Sequence, residues 1–107
     1  MNFEILYQPI ASDTLTNLRE KAKKSPKGSR QFGLYKKIHK TLQLLQTNPR
    51  HPGLHTHEYS SLENPFHTKE KVFEAYAQNN TPGAYRIFWC YGPQKKQITV
   101  IAITPHP

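Results

Sequence analysis

Apolar and polar positions along this chain change period several times, and each change marks an element. In "NFEILYQ" the residues Phe3, Ile5 and Tyr7 recur at every second position, the spacing of a β-strand. "ASDTLTNLREKAKK", residues 11–24, then places Leu15, Leu18 and Ala22 at steps of three and four, which predicts a helix. Ser12 or Asp13 is expected to accept hydrogen bonds from its free first-turn amides. Pro26 and Gly28 stop it. From Ser29 to Thr47 the residues Phe32, Tyr35, Ile38, Leu42 and Leu45 form a second apolar stripe, and Pro49 ends it. The joint between the helices is short, so an antiparallel hairpin is expected. No period governs residues 50–69, which are rich in His, Pro and Ser and read as one long connection anchored by Leu54 and Tyr59. Three strands follow, "KVFEAYAQ", "AYRIFWCY" and "QITVIAIT", separated by the turns "NNTPG" and "GPQKK". The order β-αα-βββ predicts an α+β fold: a small, mostly antiparallel sheet with an N-terminal helical hairpin packed on one face.

Composition narrows the setting. A chain of 107 residues is a single domain, residues 1–107, able to bury one core without disulfides or metal. Cys90 is the one cysteine and has no internal partner, which fits a reducing cytoplasm. No apolar run approaches the roughly 20 residues that cross a bilayer. Lysine and arginine total 15 against 7 acidic residues, a net charge of +8. That balance suits nucleic acid or an acidic protein as partner. A membrane surface fits poorly, because the basic residues do not border a long apolar helix face. Lys36, Lys37 and Lys40 make the outer face of the second helix basic, which a solvated surface would explain as well.

Strand alternation sorts the later residues onto two faces. If "NNTPG" closes a hairpin, Tyr76 lies opposite Arg86 and Glu74 opposite Phe88; the next hairpin sets Arg86 near Ala102. One face then carries Phe73, Ala75, Ala77, Ile87, Trp89, Ile101 and Ile103 and receives the helices. The other carries Glu74, Tyr76, Arg86, Phe88, Cys90 and Ala102, and His106 joins it if the last strand stays extended. Arg86 in mid-strand has two readings. It is a cross-strand partner of Glu74, worth under about 1 kcal/mol if exposed, or it is an anion anchor whose planar fork matches a phosphate. The histidines His51, His55 and His57 invite a metal reading. They share one irregular segment with Pro52 and Gly53 and have no nearby Cys or Asp, so a polar surface loop is expected and no metal or cofactor is assigned.

With these residues in view, "LLQTNPRHPGLHTHEY", "KVFEAYAQNNTPGAYRIFWCYG" and "ITVIAITPHP" together resemble the RelE/ParE toxin superfamily, including its HigB-like members. The most specific element is "GAYRIFW" in its topological place. The resemblance implies the β-αα-βββ order already read, and the toxin half of a toxin–antitoxin pair neutralised by a small antitoxin. RelE- and HigB-like members cut messenger RNA on the ribosome; ParE-like members share the fold and poison DNA gyrase. A toxin-fold protein without activity, serving as a binding partner or repressor component, is a third possibility.

Carried over by position, the resemblance gives Arg86 the family's strand arginine, which contacts the scissile phosphate in cleaving members. It places His106 near a C-terminal catalytic basic position and Glu74 at the acidic position of HigB-like strands. Glu74 and Tyr76 stand where RelE itself has lysines. Metal-independent cleavage would run by attack of the ribose 2′-hydroxyl on the adjacent phosphate. Arg86 would stabilise phosphate charge, Glu74 or His106 would take the 2′ proton, and His106 is the favoured acid. Tyr76 or Tyr91 could stack a base, and Lys69, Lys71, Lys95 and Lys96 could track the RNA backbone. Core packing for the tyrosines and solvated strand ends for the lysines are the structural alternatives.

Overall fold

The computed structural model describes residues 2–78 and 83–105. The expected turn at residues 79–82 and the C-terminal His106 lie outside the described residues. Strand β1 (Glu4–Tyr7) leads into helix α1 (Pro9–Lys23), which doubles back into helix α2 (Arg30–Thr47). A 3₁₀ turn (Pro52–Leu54) and strand β2 (His57–Glu58) precede β3 (Phe73–Tyr76), β4 (Tyr85–Tyr91) and β5 (Gln97–Pro105). The five strands form one sheet in the order β1-β5-β4-β3-β2, antiparallel except for the parallel β1–β5 pair. The expected α+β architecture is therefore present, with an extra short strand inside the long connection.

Helix α1 starts two residues earlier than its apolar spacing suggested. Gln8 is its N-cap and makes no side-chain cap bond; Pro9 opens the helix, so neither Ser12 nor Asp13 caps it. Proline suits this position because its fixed φ is already helical and its missing N–H is one the first turn does not use. Helix α2 is capped as its sequence suggests, with the Ser29 hydroxyl accepting from the Phe32 N–H at 3.2 Å. Ile38, Leu42 and Leu45 of α2 are buried with Ala11 of α1 against Ala75, Ile87, Trp89, Ile98, Val100 and Ile103 of the sheet, and Leu54 seals the same core. Phe3 and Ile5 pack on this core, while Tyr7 stays partly exposed. Deleting the side chain of a fully buried Leu45 would cost about 2–5 kcal/mol.

Two expectations about the faces need correction. The β3–β4 pairing is as expected, with Tyr76 opposite Arg86 and Glu74 opposite Phe88. On β5, however, Arg86 pairs with Thr104, and a bulge between Phe88 and Trp89 takes Trp89 to Val100. One extra residue on β5 switches which side chains face the helices beyond that point. Val100 and Ile98 fill the core there, and Ile101 is only half-buried. The second face is also covered. Phe88, Cys90, Glu74 and Arg86 are all buried, and Tyr59, from the connection, lies on the Phe88 ring with centroids 4.6 Å apart.

Burial of Cys90 pushes its thiol up to about 11 from an ordinary 9.0. The unfolded thiol ionises first, so the neutral thiol's contribution to stability is complete below pH 9.0 and is lost between there and about 11. A disulfide reagent applied near neutral pH should label Cys90 slowly in the native protein and rapidly in denaturant. Rapid native labelling would show that this face is open.

Candidate functional site

The site is built where β2, β3 and β4 lie side by side. Strand β2 is only two residues long, yet its register sets His57 directly opposite Glu74. Leu54, fully buried, ties down the 3₁₀ turn, and the His51 ring accepts a hydrogen bond from the Gly53 N–H at 2.9 Å. His55 then adopts a left-handed conformation (φ 48°), unusual for a residue with a side chain, and redirects the chain into β2. Tyr59 fixes the exit, its N–H donating to the Val72 carbonyl at 2.8 Å.

Glu74 is the centre of this arrangement. It is 1% exposed, and so is Arg86. One carboxylate oxygen lies 2.5 Å from His57 Nε2, and the other is 3.9 Å from Arg86 Nε. The Arg86 guanidinium lies under the Tyr76 ring, 3.9 Å from its centroid, and donates to the Tyr85 carbonyl at 3.2 Å. Tyr76 also meets both nearby imidazoles, with His57 edge-on at 5.5 Å and His55 at 5.8 Å. The exposed version of the Arg86–Glu74 pair, considered from sequence, is thus replaced by a buried one. A pair of this kind contributes little net stability, but loss of either partner leaves a charge in a poor solvent.

Beside Tyr76 an open groove of about 900 Å³ runs between α2 and the connection. Lys37 and Lys40 line it from the helix, His51 and His55 from the connection, and Tyr76 and Gln78 from the end of β3. No carboxylate lines it among the described residues.

Two solved structures share this architecture. The archaeal RelE–RelB complex from Pyrococcus horikoshii OT3 offers one match, at TM-score 0.60 and 14% identity, covering 98% of this chain and 96% of that one. The YoeB/ParE toxin from Agrobacterium tumefaciens matches at TM-score 0.65 and 9% identity, covering 97% of this chain and 99% of that one. The chain has the RelE/ParE toxin fold. No family model and no curated protein matches the sequence, so the likeness lies in the fold.

Within this RelE/ParE fold the residues singled out by sequence divide into two groups. Glu74, Tyr76 and Arg86 come together as described. Tyr91 is on the opposite face of β4, five residues beyond Arg86, or about 17 Å along a strand. It is 43% exposed and packs near Phe73, Trp89 and Phe3. With Lys71 and Lys95 it lines a second groove of about 570 Å³, which also carries Glu70. Lys71 is paired with Glu58 at 2.9 Å, Lys96 sits over the Phe3 ring at 4.7 Å, and Lys69 is exposed. The residues that sequence reasoning missed are His57 and His55, both set aside as members of a surface loop. The alternation of His57 with Tyr59 was the available signal, since both reach the second face.

Because Glu74 and Arg86 are buried together, Glu74→Ala and Arg86→Ala should each lower stability by about 3 kcal/mol. The double variant should lose less than the sum, with a coupling of at least about 1 kcal/mol in chemical denaturation. Additive losses would mean that the two side chains do not depend on each other.

Proposed function

We propose that this chain is the toxin of a toxin–antitoxin pair and acts in the cytoplasm as a metal-independent endoribonuclease on ribosome-bound messenger RNA. One observation carries the reading. A groove lined by cations and, among the described residues, by no carboxylate ends at a cluster of imidazole, carboxylate and guanidinium groups. Cation-lined grooves hold phosphate backbone, and proton-transfer groups at their end suit cleavage by the 2′-hydroxyl. The neighbour named a YoeB/ParE toxin supports the toxin part of this reading, and the neighbour solved as a RelE–RelB complex supports a small protein antitoxin as partner.

In this scheme Lys37 and Lys40 carry the RNA backbone toward Tyr76, whose ring stacks on a base. Arg86 supplies positive charge beneath Tyr76 for the phosphorane. His106 is the candidate base for the 2′ proton, and Glu74 organises the acid–base end of the groove without touching the substrate. Tyr91, Lys69, Lys71, Lys95 and Lys96 serve a separate stretch of RNA at the far end of the sheet.

Induced expression should arrest translation and leave cut messages, read by pulse labelling and mapping of RNA ends. Filamentation with DNA damage would instead indicate gyrase poisoning, and unaffected growth would indicate a toxin-fold protein without activity. Lys37→Glu combined with Lys40→Glu should weaken single-stranded RNA binding and reduce the slope of log affinity against log salt by about 1.4. An unchanged slope would remove these lysines from the RNA path.

A further inference from the structure

Cleavage of the kind proposed needs a proton-transfer group that can touch the substrate. Glu74 is 1% exposed and already engaged by two neighbours, so it is poorly placed to reach a ribose. His57 is different: its side chain is 47% exposed, and its ring stands at the edge of Tyr76. Its two nitrogens both face oxygen acceptors. Nε2 meets the Glu74 carboxylate at 2.5 Å, and Nδ1 meets the His55 carbonyl oxygen at 3.2 Å. A backbone carbonyl has no proton to give, and an ionised carboxylate only accepts. The protonated ring, a donor on both sides, satisfies both oxygens, whereas a neutral ring satisfies one. The grip is also unequal. The Glu74 contact is short, buried on the carboxylate side and backed by Arg86, while the His55 contact is longer and at the surface.

We propose that His57 is the general acid of the cleavage reaction, delivering its proton from Nδ1, and that Glu74 is its positioning residue. This rests on the ribonuclease reading. As O2′ bonds to phosphorus, the bond from phosphorus to O5′ breaks and its electron pair goes to O5′. The Nδ1 proton leaves the His55 carbonyl and passes to that oxygen. The Nε2 proton stays on the ring, donated to the Glu74 carboxylate, which fixes the ring plane. The 2′ proton departs to a base or to water, and the neutral ring regains a proton from solvent. The products are a 2′,3′-cyclic phosphate and a 5′-hydroxyl, with no net proton gained or lost. The charged and titratable groups around the ring are Glu74 and Tyr76 on β3, Arg86 on β4 and His55 in the connection.

The test compares two ribosome-bound messages, one natural and one with sulfur replacing the 5′ oxygen at the cut linkage. A sulfur leaving group departs as a thiolate and needs no acid. Wild-type protein should cut both. His57→Ala should cut the natural message about 100-fold more slowly and the sulfur message at close to the wild-type rate. Glu74→Gln should show a smaller defect that the sulfur message also relieves. A natural-message rate unchanged by His57→Ala would overturn the proposal, and so would an equal defect on both messages, which would mark a structural or basic role. An inactive wild-type protein would overturn the ribonuclease reading itself and this inference with it.

Discussion

The carboxylate of Glu74, taken out of water between a guanidinium and an imidazole, is the constraint on which this molecule's second sheet face depends. A lone carboxylate at that depth would be strongly disfavoured, because nothing would replace its hydration. Arg86 and His57 replace it from two sides, and they come from different strands. The cluster therefore joins β2, β3 and β4 through side chains as well as through the backbone ladder. It also fixes Tyr76, whose ring lies over Arg86 and borders the open groove. Any variant of this cluster that removes one charge also removes a charge that balances the interior.

This constraint explains how a strand of two residues holds its place. Such a strand has little ladder of its own, and β2 lies at the sheet edge. It is held by buried Leu54 before it, by the His57–Glu74 and Lys71–Glu58 pairs across it, and by Tyr59 on Phe88 after it. The result is a polar edge flanked by a hydrophobic anchor on each side. His57 keeps about half of its side chain exposed while its Nε2 is held on Glu74.

Much of the fold was legible in the sequence because it rests on repeating patterns. The stripe through Ile38, Leu42 and Leu45 and the alternation in "YRIFWCY" each repeat often enough to identify their element. The Glu74–Phe88 and Tyr76–Arg86 pairings followed from hairpin closure alone. What escaped reading has no repeat. The bulge at Phe88 and Trp89 adds one residue and exchanges Ile101 for Val100 in the core. Pro9 starts α1 through a fixed dihedral angle, which apolar spacing does not register. The segment "GLHTHEY" holds one turn, one left-handed residue and two residues of strand, too little for any period. The three histidines drew attention as metal ligands, but the significant partner of His57 is a glutamate 17 positions later in the chain.

The central claim is that Glu74 holds His57 from within the protein. It is tested most directly by NMR of protein carrying nitrogen-15 in its histidine rings. The account predicts a His57 Nε2 proton that is hydrogen-bonded, slow to exchange with water, and lost as a distinct signal in Glu74→Ala while the other histidine signals persist. A His57 ring in the wild-type protein that exchanges as fast as free histidine, or that is indifferent to Glu74→Ala, would contradict it.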